Sequence, residues 1–206
     1  MHSIGNLNMQ NNIMTKPPYL KERLADNELF EVIYPLMKIY RTSEFLNEID
    51  KASLENPDIQ GVRTGVFKYK DNYVFNYLPS NKIESSKIAY ERAKQIDSPL
   101  VDYELLIMED KICNGFCLIK LPDNDVSAYT FKIDPFMISK EHKERLYSSI
   151  EALARLGVVF SSDSLSYNSK NNTFKIMDFS KVSTNGFNNM NEKEKYLSSY
   201  KNYLLL

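Results

Sequence analysis

The sequence predicts a mixed α+β protein, because two hydrophobic periods take turns along the chain and polar turn clusters separate them. Val62, Val66, Phe67, Tyr69, Tyr73, Val74, Phe75 and Tyr77 are β-branched or aromatic, with Lys70-Asp71-Asn72 as a polar turn between two runs. A β-hairpin of two or three strands is expected there. Ser80 to Ile96 then returns to helical spacing through Ile83, Ile88, Tyr90 and Ala93, and Ser98-Pro99 ends it. With 206 residues, 43% of them hydrophobic, the chain has enough apolar surface for one domain or a compact pair.

The elements follow in order. Met1 to Pro18 is polar and ends in Pro17-Pro18, which blocks a helix and fixes an extended exit. This predicts a flexible leader over 1–18. Leu29, Val32, Ile33, Leu36, Met37 and Tyr40 recur at three and four residues, so 19–56 reads as a helical extension, broken near Pro35. Its apolar stripe is expected to be core. After the first hairpin and its helix, Leu100 to Met108 and Ile112 to Lys120 form two apolar runs joined by Glu109-Asp110-Lys111, a second hairpin. Ser139 can cap a helix whose Leu146, Ile150 and Leu153 share one face and which stops at Gly157. Val158 to Phe160 is a short strand or turn, Leu165 to Tyr167 and Thr173 to Met177 pair across Lys170-Asn171-Asn172, and Asn191 to Leu206 makes a last helix.

Charge and cysteine content exclude several classes. Lys+Arg number 26 against 27 Asp+Glu, so no overall field draws the chain to nucleic acid or an anionic surface, and any polyanion contact must be local. No apolar run approaches the roughly 20 residues that cross a bilayer, and no secretory signal is visible at the N-terminus. Cys113 and Cys117 are the two cysteines; lacking a second such pair they do not make a zinc site, and both are expected to be packed thiols. A thiol hydrolase built on one of them with His142 is disfavoured, because both lie in a strand pattern with no helix N-terminus to activate the thiol. A Ser-His-Asp hydrolase lacks its Gly-x-Ser-x-Gly turn. The 14 Tyr against 6 Gly and no Trp point to an AT-rich coding sequence, as in a low-GC bacterium, phage or virus.

The order hairpin, helix, hairpin, loop, helix, short strand, hairpin resembles a protein kinase reduced to its smaller lobe and the front of its larger one. Leu153-Ala154-Arg155-Leu156-Gly157-Val158-Val159 is similar to the end of the kinase helix that leads into the catalytic loop. Lys175-Ile176-Met177-Asp178-Phe179-Ser180 is similar to the strand ending in Asp-Phe-Gly. Ser98-Pro99-Leu100-Val101 resembles the junction before the fourth strand, and Leu118 to Pro122 sits where a hinge would be. The resemblance covers about 60–180, and in its abbreviated ending the chain resembles the short kinase-like type III secretion effectors of Gram-negative bacteria. It implies a compact two-lobed kinase-like fold over 57–206, with a small β-rich lobe and an abbreviated helical lobe. It also implies a cytoplasmic origin with delivery into a host cell, a protein substrate or partner there, a monomer, and ATP with Mg²⁺ as cofactors.

By that resemblance Asp163 would be the catalytic base, and Asn168 and Asp178 the metal ligands. A second register places Phe160-Ser161-Ser162 at the His-Arg-Asp positions and Asp163 where the metal-binding Asn stands, which leaves no base. Gly61-Val62-Arg63-Thr64-Gly65-Val66 would stand in loosely for the glycine-rich loop, with Gly61, Gly65 and Val66 against the nucleotide. Asn76 occupies the place of the third-strand lysine. Strand alternation puts Lys68 on the face of Val66, so Lys68 could reach the phosphates instead, oriented by Glu91 or, failing that, Glu84. The plainer readings are a turn-capping Asp163, a hairpin Asn168 and solvated Lys68, Lys70 and Glu91. Two functions follow as expectations: a kinase that moves the ATP γ-phosphate to a hydroxyl of a partner protein, or a pseudokinase that works as a binding surface.

Overall fold

The computed structural model describes residues 59–63, 66–70, 73–109, 114–122 and 125–206, all within the compact unit Ile39–Leu206. The expected leader, the helical extension over 19–56, Gly65, Cys113 and the Glu109-Asp110-Lys111 turn beyond Glu109 lie outside the described residues. What is described is a mixed α+β protein with antiparallel sheets and three helices.

The strands β1 (Ile59–Arg63), β2 (Val66–Tyr69), β3 (Tyr73–Pro79), β4 (Glu104–Glu109) and β5 (Asn114–Lys120) form one antiparallel sheet in the order β1-β2-β3-β5-β4. The chain leaves β3 through helix α1 (Ser80–Gln95) before it returns as β4 at the far edge. In the central strand Val74, Phe75, Asn76 and Leu78 are all fully buried, so both faces of β3 are covered. Register places Val66, Asn76, Cys117 and Ile107 side by side across the sheet, and paired residues share a face.

Helix α1 spans almost the range expected from its periodicity. It buries Ile83, Ser86, Ala89 and Ala93, and these mostly small side chains let it lie close against β3, β4 and the segment after residue 178. One expected strand begins late: Pro99–Val101 is a 3₁₀ turn, not the start of β4. Ser98 Oγ accepts from Leu100 N at 3.4 Å and Tyr103 N donates to Val101 O at 2.8 Å, which commits the backbone to turns before Glu104. The buried Lys175 reinforces this turn by donating to Pro99 O at 3.0 Å.

After β5, a 3₁₀ turn (Val126–Ala128), the short β6 (Tyr129–Thr130) and a second 3₁₀ turn (Pro135–Met137) lead to helix α2 (Lys140–Arg155). Ser139 caps α2 as expected, accepting from His142 N at 3.4 Å, and Leu146, Ile150 and Leu153 form its buried stripe. The helix stops at Gly157, whose φ of +74° is left-handed; Val158 N reaches back to Leu153 O at 3.0 Å. That is a glycine-terminated helix end, which satisfies carbonyls the helix leaves open.

Strand β7 (Val159–Phe160) pairs with β10 (Val182–Ser183), and β8 (Leu165–Asn168) pairs with β9 (Thr173–Ile176) on one side and β6 on the other. Helix α3 (Met190–Leu204) closes the chain. Asn189 caps it by accepting from Glu192 N at 3.0 Å, while the Glu192 carboxylate accepts from Asn188 N at 2.9 Å, a reciprocal pair of the capping-box kind. Tyr200 of α3 donates to Phe160 O at 2.8 Å and Tyr196 to the same oxygen at 3.2 Å, so two hydroxyls fasten the helix to β7.

Burial pushes the Tyr196 hydroxyl from 10.0 up to about 12, and burial raises Tyr200 as well. The folded values lie above the unfolded one, so the stabilisation is complete below pH 10.0 and is lost as pH rises toward about 12. Urea unfolding midpoints followed by circular dichroism should fall across that alkaline window, and Tyr200→Phe should make the fall shallower.

Candidate functional site

The residues the sequence singles out converge only in part, around the end of β9. Asp178 follows that strand and is 3% exposed. It caps the 3₁₀ turn Phe179–Lys181: its Oδ1 accepts from Ser180 N at 3.0 Å and from the Ser180 hydroxyl. Ser164 lies directly alongside, because its carbonyl accepts from Met177 N at 2.8 Å and from Asp178 N at 3.4 Å.

From the sheet side, Asn76 Nδ2 donates to Met177 O, across 101 residues of sequence. Asn76 and Ser164 are both fully buried, and Asn76 Oδ1 and Ser164 Oγ have no hydrogen-bond partner among the described residues. Beside Asn76 in register is Cys117, whose thiol burial pushes well above its ordinary range, with the Asp178 charge adding to the rise. The expectation of a packed thiol holds for Cys117.

Helix α1 holds this segment in place. The single proton of the Ser86 hydroxyl lies between two carbonyls, Lys82 O of its own helix at 2.7 Å and Phe179 O at 3.3 Å. Lys82 Nζ donates to Val182 O at 3.3 Å. Arg92 donates to Leu156 O at 2.8 Å and Thr184 O at 3.3 Å, so each turn of α1 grips a carbonyl of another segment. The position on α1 that faces Asp178's turn is therefore Ser86. Glu91 and Glu84 are exposed, off the buried stripe, and Glu91 is not where the resemblance put it. The helical spacing from Ile83 through Ser86 and Ala89 to Ala93 was the signal that could have found Ser86.

Lys68 shares the face of Val66 and Asn76 but points elsewhere. Its Nζ donates to Tyr129 O at 3.1 Å and lies 5.7 Å from the centre of the Phe131 ring. Desolvation lowers its pKa, opposed by the Asp125 carboxylate. Val66 is buried beside Asn76. Gly61 lies in β1 opposite Phe67, next to a register shift between Gly61 and Arg63.

Asn168 stands apart from Asp178's carboxylate, whereas Asp163 adjoins Ser164, whose carbonyl accepts from Asp178 N at 3.4 Å. The Asp163 side chain is 65% exposed and pairs with Lys181 at 3.1 Å. Asn168 is buried at the turn end of the β8–β9 hairpin, where its Oδ1 accepts from Lys170 N at 2.9 Å. Leu165 pairs with Ile176 at the other end, and three strand residues place Asn168 about 10 Å from it along β8. The structure does not bring Asn168 to Asp178, and the five-residue spacing that linked Asp163 to Asn168 belongs to a turn followed by a strand.

A Mg²⁺–nucleotide site needs hard oxygen ligands and a cation for the phosphates. Here the Asp178 carboxylate already caps a turn through Oδ1, and the side chain that the central strand brings to it is the neutral amide of Asn76. Among the described residues no three His, Cys, Asp or Glu side chains are grouped to hold a metal. Among the described residues, the side chains that surround Asp178 do not fit Mg²⁺–ATP: no lysine joins them, and Asn168 lies at the far end of β8. No family model matches the chain, and no curated protein matches its sequence.

Asn76→Asp tests the contact to Met177. The new oxygen would face the Met177 carbonyl, and only the protonated acid could donate to it, so its folded pKa must lie above the unfolded value of about 3.9. The variant should lose about 2 kcal/mol or more near pH 7 relative to wild type, and recover part of this near pH 4 as the acid protonates. Urea unfolding at both pH values reads the difference; an equal loss at both would remove Met177 O as the partner.

Proposed function

We propose that the chain is a kinase-like protein that does not carry out phosphoryl transfer and acts as a protein-binding module. Support for the two-lobed kinase-like reading is the sheet order β1-β2-β3-β5-β4 with a helix between β3 and β4. A helix, a short strand, a turn and a hairpin running into Asp178-Phe179-Ser180 then follow in the order the resemblance implies. The five-stranded sheet with α1 would be the small lobe, and 125–206 the abbreviated larger one.

The observation that carries the inactive reading is Asn76. By the resemblance it stands for the lysine that grips the phosphates in a kinase, and it is fully buried and bonded to the backbone next to Asp178. A lysine at that site works because a carboxylate on the following helix pairs with it; here that helix presents Ser86. Lysine, carboxylate partner and distant metal ligands are all replaced by neutral or outward-facing groups. Binding to a protein of a host cell, after delivery from a bacterial cytoplasm, belongs to the same proposal. A second reading, in which the protein moves the γ-phosphate of ATP to a partner's hydroxyl, draws on the buried oxygens of Asn76 and Ser164 beside the Asp178 segment.

One titration separates the two. Purified protein is heated with millimolar ATP, with and without Mg²⁺, alongside Asp178→Ala. A nucleotide at a hundred times its Kd would stabilise the fold by about 2.7 kcal/mol, which for this size raises Tm by about 5 °C or more. The expected result is no Mg²⁺-dependent rise. A rise of that size, abolished in Asp178→Ala, would sink the inactive reading.

A further inference from the structure

Phe136 is 82% exposed and Met137 78%, on a turn that is held firmly on both sides. Asp134 Oδ1 accepts from Phe136 N at 3.0 Å, and Met137 N donates to Asp134 O at 3.1 Å. The flanking Ile133 and Ile138 are buried at 8% and 4%. Anchored between two core residues, the turn presents its two largest apolar side chains outward. Large exposed apolar groups on a fixed element mark an interaction site.

The same end of the molecule carries more apolar and basic surface. Tyr203 of α3 donates to Ile133 O at 3.3 Å, which brings the last turn of α3 to this segment. Leu205 and Leu206, 53% and 40% exposed, line a groove of about 730 Å³ with Lys140, Lys143, Tyr147 and Lys201. Four of the six exposed large apolar side chains among the described residues are therefore Phe136, Met137, Leu205 and Leu206. Lys132 is also exposed. The acids here are Asp134, Glu141, which pairs with Arg145, and Glu144, which pairs with Lys140 at 3.7 Å; against these three stand Lys132, Lys140, Lys143, Arg145 and Lys201. Positive charge is in excess around the protruding pair.

We propose that Phe136 and Met137 insert into the surface of an anionic lipid bilayer, with Lys132, Lys140, Lys143 and Lys201 held against the lipid headgroups. A protruding turn suits this partner, because a bilayer interface accepts convex apolar side chains without a preformed pocket, and the lysines complement its negative charge. No helix among the described residues is long and apolar enough to cross a membrane, so the contact is peripheral.

The test uses the full chain with two vesicle preparations, pure phosphatidylcholine and a mixture with about 30% phosphatidylserine, followed by flotation. The protein should float with the anionic vesicles, stay behind with the neutral ones, and detach as salt approaches about 1 M. The double variant Phe136→Ser, Met137→Ser should bind at least about tenfold more weakly, with an unchanged circular dichroism spectrum because both side chains are exposed. Lys140→Gln with Lys143→Gln should weaken binding while leaving Phe136 in place. Wild-type protein that stays behind with both vesicles overturns the proposal in favour of a protein pocket for the Phe136 turn. A serine double variant that floats as well as wild type overturns it too.

Discussion

The amide of Asn76, bonded to the carbonyl of Met177, fixes the relation between the central strand and the segment that carries Asp178. A side chain buried this deeply holds its place only while its donor is matched. Around it the same logic repeats with α1: Ser86, Lys82 and Arg92 each end on a backbone carbonyl of the chain after residue 155. These donors do not pair with carboxylates. They fasten α1 to backbone, two of them through a cation that donates to a carbonyl. An active kinase site of the kind resembled here would hold its helix by an ion pair that ligands and partners can break. Here the contacts of α1 run to main chain, which favours one arrangement over two.

An uncharged side chain at position 76 has an electrostatic rationale. A buried lysine without a carboxylate partner loses its hydration and tends toward the neutral form. With Ser86 on the facing helix, an amide at position 76 keeps a donor for Met177 and brings no charge into the interior. Lys68 on β2 shows the intermediate case: half-buried, its pKa lowered by desolvation, it keeps a carbonyl and an aromatic face as company. Lys175 is more deeply buried and uses the Pro99 carbonyl with Asp102 at 3.7 Å.

Much of the fold was legible because local signals agreed with the tertiary result. The Ser139 cap, the Leu146-Ile150-Leu153 stripe and Gly157 located α2 almost to the residue, and the β8–β9 hairpin formed across the polar turn expected from Lys170 to Asn172. The strand expected from Leu100 failed, since buried apolar residues in a short run suit a packed turn as well as a strand. The site was less legible. Asp178 was marked by its strand, and Asn76 by its place in one. Ser86 and Ser164 carry no chemical signature in sequence, and their roles come from a helix face and a backbone register that only packing defines. Asn168 misled because motif spacing counts residues, whereas β8 carries that residue away from Asp178 at strand rise.

Cys117 adds a different kind of property to this interior. Its thiol is buried in register with Asn76 and held protonated by burial and by the Asp178 charge. The folded protein therefore hides a nucleophile, and a thiol reagent can reach it only when the sheet parts from the segment at Asp178. The labelling rate at this one sulfur is a clock for that opening: it counts the moments at which β3, β5 and the Asp178 turn come apart, without any probe added to the chain.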